Sequence, residues 1–298
     1  MTEVSAAEVR ELTELITPGP AQALAGLLGV PLADGALPLL WHWVYLLDRP
    51  PQAILGADGH PARDAIPTPP GPGLRRMFAG GRVSQHAPLR TGAEATRRTW
   101  QASSTGKQGR SGALHFVTVR SEISQGGQVV ITDEQDLVYR EPAPTASVPA
   151  PEPAPPPDAP PPLPGDHVWP VEVNPVLLFR FSALTYNAHR IHYDRDYARA
   201  EGYPGLLVHG PLQALLMAEL ARRMTELPVR CDYSYRLVAP LFDGQGLIVS
   251  ASARQDAVRV TACDAASRTT ATGVIRPAGY IRHVTPDAGG IGSLLGQS

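Results

Sequence analysis

Cysteine is scarce in this chain, and the long apolar runs of a membrane protein are missing. Only Cys231 and Cys263 occur among 298 residues, so we expect no disulfide framework and interpret both thiols as small core side chains in a reducing compartment. No stretch approaches the roughly 20 unbroken apolar residues of a membrane-spanning helix. The chain begins with acidic rather than basic residues, unlike a signal or transit peptide. We therefore expect a cytoplasmic protein with no membrane partner.

An excess of charge of either sign is also missing. The 26 basic and 28 acidic side chains leave a formal net charge of −2. A nucleic-acid-binding protein normally has a strongly basic face or domain, so nucleic acid is not an expected partner. An anionic ligand would have to be bound by a local cluster of cations. The hydrophobic content of 43% is ample for the core of one large domain or two ordinary ones.

Proline, in contrast, is abundant, and its distribution divides the sequence. Twelve of the 32 prolines lie between Pro142 and Pro164. Because proline fixes φ and has no amide hydrogen, this run predicts an extended polyproline II linker. The expected organisation is an N-terminal domain over 1–141, the linker over 142–165, a C-terminal domain over 166–285 and a flexible tail over 286–298.

The two halves share a short pattern and the order of their strand-like segments. Ala87–Gly92 and Ala239–Gly244 both read A-P-L-x-[T/D]-G, at an offset of 152 residues. Runs rich in β-branched residues follow both copies. They lie at 93–102, 114–123 and 128–139 in the first half and at 247–254, 258–263 and 269–275 in the second. The pattern predicts a β-meander in each half.

Two segments have helical spacing of apolar residues. Ser5 and Glu8 form a possible capping box that opens a helix with Val9, Leu12, Leu15 and Ile16 on one face. A longer apolar stripe follows Gly210-Pro211 and ends before Pro228. One helix followed by several antiparallel strands, present twice, predicts an α+β fold in which each sheet wraps around a central helix.

The segment 179–194 is unusually rich in polar and titratable side chains. Asn187 and His192 lie five residues apart, so both can face one pocket and hold a water between them. Histidine can take a proton from water and return it near neutral pH, and asparagine can orient the water. His189 is an alternative base. Ser182 and Tyr186 are candidate supporting hydrogen-bond partners, with a purely structural role in the loop as the alternative.

The start of the long helix offers a second polar feature, at His209-Gly210. The first amides of a helix have no intrahelical partners and carry the positive end of its dipole. A thioester oxygen placed there would be polarised, and an enolate formed on it would be stabilised. We therefore predict that the Gly210 N–H is an oxyanion donor, supported by His209.

Two further clusters have competing interpretations. The first half contains an arginine group whose members could bind coenzyme A phosphates or a substrate carboxylate, the alternative being a solvated charged face. The candidates are Arg75, Arg76, Arg82 and Arg90. A metal site is the alternative for His189, His192, Asp194 and His209, although no cysteine pair or standard zinc spacing accompanies them. We expect neither a metal nor a redox cofactor.

These motifs resemble the MaoC-like hydratases and dehydratases of the hot-dog fold. That family has the motif D-x-N-P-[I/L/V]-H before a helix that starts at His-Gly. The terminal histidine is present here as His192, but Asn187 replaces the aspartate, His189 the asparagine and Arg190 the proline. The long motif at 180–194 resembles a branch that contains type 2 hydroxyacyl-thioester dehydratases and the mesaconyl-C4-CoA and itaconyl-CoA hydratases. Further matching segments lie at 38–43, 56–61, 75–82, 135–140 and 202–211.

The resemblance implies a double hot dog in which one half is catalytic and the other has lost its site. At the internal offset, Asn187 and His192 fall on Gly35 and Leu40. The implied reaction is reversible addition of water to an enoyl thioester, with coenzyme A present only as part of the substrate. His192 would deprotonate the water and then supply the α proton. Short dicarboxylic substrates are favoured; fatty enoyl thioesters and a non-catalytic acyl-thioester binding module are the alternatives. A homodimer is left open.

Overall fold

A single antiparallel sheet of ten strands runs through the part of the chain that the computed structural model describes, residues 8–32, 35–71, 73–109, 112–141, 165–254 and 256–279. The strands are β1 Arg10–Leu15, β2 Arg75–Gln85, β3 Glu94–Gly109, β4 Gly112–Gln125, β5 Gln128–Arg140, β6 His167–Val171, β7 Cys231–Leu237, β8 Leu247–Arg254, β9 Ala257–Cys263 and β10 Thr269–Pro277. The α-helices are α1 Pro18–Leu28, α2 Pro175–Leu184, α3 Arg195–Ala200 and α4 Gly210–Met224.

The order of the strands shows that the two halves repeat one topology. The sheet runs β1-β3-β4-β5-β2-β7-β10-β9-β8-β6, so each half has one strand, a central helix and four further strands in the same spatial arrangement, and the second half adds α2 and α3 before its central helix. β2 and β7 lie side by side in the middle, where residues 80–85 pair with residues 231–236. The predictions of an α+β fold and of a meander in each half are confirmed.

Helix α4 is the central helix of the second half. Pro211 lies in its first turn, where a missing amide hydrogen costs nothing. Its apolar stripe, including Leu212, Leu215 and Leu216, is buried, and the helix contacts β8, β9 and β10. The Tyr233 hydroxyl donates a hydrogen bond to the Ala214 carbonyl at 3.0 Å. The predicted helix therefore fixes Gly210 against the sheet.

The predicted helix near the N-terminus is wrong within the described residues, because Arg10–Leu15 is strand β1. It pairs with β3, with Leu12 opposite Arg97, and its exposure alternates along the strand. Glu14 faces inward and accepts a hydrogen bond from the Leu46 N–H at 2.5 Å. The central helix of the first half is α1 instead, which buries Leu24 and Leu28.

The internal offset relates β2 to β7 and the start of β3 to the start of β8, but it does not hold for the segments before them. Residues 172–209 separate β6 from α4, whereas only residues 16 and 17 separate β1 from α1. Gly35 and Leu40 are therefore not the structural counterparts of Asn187 and His192, because the first half has no such segment. Its own long connection, 29–74, comes after α1 and reaches the other half.

The remaining predictions about organisation fall on different parts of the chain. Cys231 and Cys263 are buried and free. The predicted linker, apart from Gly165, and the predicted tail lie outside the described residues. No helix within the described ranges combines the length and the apolarity needed to cross a membrane.

Candidate active site

The candidate site is a cavity of about 1030 Å³ lined by both halves of the chain. The first half contributes His60, Arg76 and Phe78, and the second contributes the segment from Thr185 to His192 and the start of α4. Of the predicted residues, Tyr186, Asn187, His189, His192 and Gly210 line the cavity together.

Backbone turns fix the position of Asn187. Tyr186 has a φ of 52°, which turns the chain after α2, and the Asn187 N–H donates to the Ser182 carbonyl at 2.8 Å. The Asn187 Oδ1 accepts the His189 N–H at 3.0 Å. Because Oδ1 is occupied, the Nδ2 amide is the group of Asn187 that is available to bind a water or ligand in the cavity.

His192 is held as a neutral imidazole with one free nitrogen. Its Nδ1 lies 2.7 Å from the Leu207 carbonyl oxygen. A carbonyl only accepts, so Nδ1 carries the hydrogen and Nε2 keeps its lone pair. Burial lowers the pKa of His192 to about 4, against the partial compensation of the Leu207 hydrogen bond. The residue therefore has the protonation state that a base requires.

Four imidazoles lie in contact, and we call His60, His189, His192 and His209 the histidine row. Their successive ring centroids are 4.1, 5.5 and 3.7 Å apart. His209 is fully buried and its Nε2 lies 2.9 Å from the Ser182 hydroxyl. Ser182 and His209 do not line the cavity; they pack behind His192 and support its ring.

The histidine row is uncharged at neutral pH. Burial lowers the pKa of His189 to about 2, and the neighbouring charges of His60 and His192 lower it further. Burial likewise lowers the pKa of His209 and of His60. Because each protonated ring would repel the next, the row resists taking a second proton.

His60 was not among the predicted site residues, and it belongs to the first half. The loop 56–61 lies directly on the predicted hydratase segment: the Arg190 N–H donates to the Asp58 carbonyl at 2.9 Å. Gly59 has a φ of 91°, and a Cβ there would lie 1.9 Å from the Ala188 oxygen. In the sequence, this loop stands out only as a short motif shared with the MaoC-like branch. Local residue patterns cannot predict a contact between segments about 130 residues apart.

Gly210 opens α4 at the cavity wall. A Cβ at this position would lie 2.9 Å from Phe78 Cδ1 and 3.1 Å from Leu237 Cγ, so the wall fits closely around a glycine. As the first residue of α4, it has an N–H without an intrahelical partner. The geometry agrees with a hydrogen-bond donor to a ligand oxygen.

Only one of the four candidate arginines lines the cavity, namely Arg76. Arg75 is paired with Glu201 at 2.7 Å. Arg82 is paired with Glu134 and Asp136 outside the cavity, and Arg90 is exposed beside Gln125. Within the described residues Arg76 has no ion-pair partner, so its charge is available to a ligand.

The four proposed metal ligands do not converge. Asp194 pairs with Arg190 at 2.7 Å and caps α3 through the Tyr197 N–H, because it belongs to the helix that follows. A different trio, Asp58, His60 and His189, has possible ligand atoms within 4.8 Å of one another. It shares only His189 with the predicted set.

Comparison with protein families identifies the chain. Residues 40–243 match the model of the family described as hydroxyacyl-thioester dehydratase type 2. The chain belongs to this family. It is 53% identical over 219 residues to the mesaconyl-C(4)-CoA hydratase of Chloroflexus aurantiacus, covering 72% of this chain and 74% of that protein. It is also 37% identical over 91 residues to the mitochondrial type 2 hydroxyacyl-thioester dehydratase of Schizosaccharomyces pombe, covering 29% and 30% of the two chains.

Solved structures of other proteins have the same fold as this chain. HtdX of Mycobacterium tuberculosis has a TM-score of 0.64 at 17% identity, over 90% of this chain and all of its own. A second M. tuberculosis protein, described as a double hotdog fold, has a TM-score of 0.54 at 17% identity, over 92% and 96% of the two chains. The predicted family and the double hot-dog fold are confirmed.

The buried histidines of this dehydratase-family chain are expected to make it sensitive to acid. Because the pKa of His192 and of His209 is lowered on folding, the unfolded chain takes up protons first as the pH falls below about 6.5. The stability they contribute is present above that pH and lost below it, by up to about 1.4 kcal/mol per pH unit for each residue. Urea unfolding at pH 7 and 5.5 measures the difference; equal unfolding free energies would contradict it.

Proposed function

We propose that the protein is an acyl-CoA hydratase that reversibly adds water to an α,β-unsaturated thioester, with a short dicarboxylic substrate such as mesaconyl-C4-CoA or itaconyl-CoA. It is accordingly a hydro-lyase. One observation carries the proposal: a neutral His192 with a free Nε2 lines the same cavity as the Asn187 amide and the first residue of α4. The 53% identical mesaconyl-C(4)-CoA hydratase supports the choice of substrate. The cytoplasmic location and the homodimer stay predictions.

The proposed reaction needs three groups around the acyl chain. The Gly210 N–H binds the thioester oxygen, and the Asn187 Nδ2 and His192 Nε2 hold a water beside the β carbon. The water oxygen bonds to the β carbon, its proton passes to an imidazole of the histidine row, and the π electrons move onto the thioester oxygen as an enolate. The same proton then returns to the α carbon. Stabilising the enolate more than the ground state lowers the barrier.

Arg76 supports a dicarboxylic substrate. In mesaconyl-C4-CoA the free carboxylate is attached to the β carbon, the atom that water attacks. A cation that binds this carboxylate must therefore lie beside the proton-transfer groups. Arg76 meets this requirement, because it lines the cavity and its charge lowers the pKa of both His60 and His189. Its guanidinium can bind a carboxylate through two hydrogen bonds.

Replacing Arg76 with glutamine is expected to raise the KM for mesaconyl-C4-CoA by about 10-fold or more, since a hydrogen bond to a charged group contributes about 1.5–3 kcal/mol. The KM for crotonyl-CoA, which has no free carboxylate, should change little. Both are measured from the loss of enoyl-thioester absorbance. Arg75→Gln, which removes the neighbouring arginine paired with Glu201, is the matched control. An equal rise for both substrates would contradict a carboxylate-binding role.

The same assay separates the alternative functions. Faster turnover of long-chain enoyl thioesters than of mesaconyl-C4-CoA would assign the protein to fatty 3-hydroxyacyl thioesters. Binding of CoA esters without turnover of any of them would instead indicate an acyl-thioester binding module.

A further inference from the structure

The predicted water-binding pair lacks a group that can stabilise a transferred proton. Asn187 carries no charge and does not exchange a proton at neutral pH. His192 packs between the neutral rings of His189 and His209, and its Nδ1 partner is a neutral carbonyl. A proton placed on His192 during water attack would have no carboxylate beside it, within the described residues.

The first half supplies such a carboxylate. The Asp58 Oδ2 lies 3.1 Å from His60 Nδ1, and the Asp58 Oδ1 accepts the His60 N–H at 3.0 Å. Burial alone would raise the pKa of Asp58, but the hydrogen bond and charge of His60 outweigh it and lower the pKa to about 2. Among the described residues, Asp58 is the one carboxylate that hydrogen-bonds to a member of the histidine row.

The loop is also held in a defined place. The Arg190 N–H donates to the Asp58 carbonyl and the Arg190 guanidinium donates to the Ala57 carbonyl at 3.1 Å. The His60 ring rests on His189 with centroids 4.1 Å apart and lines the cavity. Because Nδ1 donates to Asp58, Nε2 is the nitrogen of His60 that keeps a lone pair.

We propose that His60, oriented and charge-stabilised by Asp58, is the catalytic base and acid of the reaction, and that His192 and Asn187 hold the water. The assignment rests on the proposed hydratase function. His60 Nε2 takes the proton as the water O–H bond breaks and the C–O bond forms at the β carbon. The resulting imidazolium faces the Asp58 carboxylate. It then returns the proton to the α carbon of the enolate, which restores neutral His60, so that neither protons nor electrons are left over.

This assignment gives the first half a catalytic role. The aspartate of the MaoC-like motif is replaced by Asn187 in the second half, and in the other half of the chain Asp58 supplies a carboxylate to His60, which lines the same cavity. A carboxylate that fixes the tautomer of a histidine and stabilises its protonated form is a general device of acid-base sites.

Asp58→Asn and His60→Ala test the proposal in the full-length protein. We expect Asp58→Asn to lower kcat by about 100-fold or more, because an amide neither stabilises the imidazolium nor enforces the tautomer. His60→Ala should lose at least as much, and added imidazole should restore part of its kcat. His192→Ala should not be rescued in this way. Arg63→Gln is the control, since this exposed arginine lies three residues from His60 and outside the cavity lining.

Several results would overturn the assignment. If Asp58→Asn had wild-type kcat, His192 would be the base instead of His60. The same conclusion would follow if imidazole restored activity to His192→Ala and not to His60→Ala. One zinc per chain together with loss of activity in a chelator would make Asp58, His60 and His189 metal ligands. If the wild-type protein hydrated no enoyl-CoA, the proposed function itself would be wrong. This result is distinguishable from failure of the His60 assignment, because it is obtained with the wild type before any variant is compared. Equal urea midpoints for variants and wild type show that folding is intact.

Discussion

Replacing His192 with alanine should lower kcat for hydration of mesaconyl-C4-CoA by about 100-fold or more, because misplacing a reacting group by about 1 Å costs about that much. The expected loss has two physical causes. The Nε2 that faces the cavity is removed, and the ring that packs between His189 and His209 is lost. The water then has no fixed position relative to the β carbon.

His192→Gln and His167→Ala provide the controls. Glutamine keeps a polar side chain of similar length, so His192→Gln should fold like the wild type although it lacks the imidazole. His167 is exposed on β6 and does not line the cavity, so its removal should leave kcat unchanged. Full activity of His192→Ala would show that the site has been assigned to the wrong residues.

A second large effect is expected from Gly59→Ala, although residue 59 carries no chemistry. The new Cβ would lie 1.9 Å from the Ala188 carbonyl oxygen, and φ at this position is 91°. The loop must move away from the second half and carry Asp58 and His60 with it. Because a displacement of about 1 Å costs about 100-fold in rate, we expect a loss of that size in kcat.

Gly71→Ala is the matched control for Gly59→Ala. It lies in the same long connection, and its nearest contact would be Leu74 Cδ1 at 3.4 Å, an ordinary van der Waals distance. The expected result is wild-type kcat and an unchanged urea midpoint. Wild-type activity in Gly59→Ala would show that the contact between loop and segment has no part in catalysis.

The features that local patterns encode were predictable from the sequence. The meanders follow from β-branched runs and turn glycines, and α4 from its apolar stripe and Pro211. Residues 10–15 show the limit of this reasoning. Leu12 and Leu15 fit a helical spacing equally well, and the strand forms because β3 offers pairing partners and because Glu14 accepts the Leu46 N–H.

The candidate site was predictable mainly in its second half, with Arg76 as the one first-half candidate that lines the cavity. Asn187, His192 and Gly210 share one cavity as their motifs imply. The contribution of His60 could not be derived in this way, because Gly59 meets Ala188 only after two distant segments fold together. The internal offset also suggested that the first half has no titratable counterpart. That inference failed because the segment between the first strand and the central helix differs in length: it is 172–209 in the second half and 16–17 in the first.

If both halves build one site, Gly59 and His192 should act as a unit, which a double-variant cycle measures. Single-turnover hydration of mesaconyl-C4-CoA is measured for wild type, Gly59→Ala, His192→Ala and the double variant. Substitutions of residues that act as a unit are strongly non-additive, so we expect the double variant to have a rate within a few-fold of that of the slower single variant. Losses that multiply, giving a double variant slower by the product of the two single effects, would show that the first-half loop and His192 act independently.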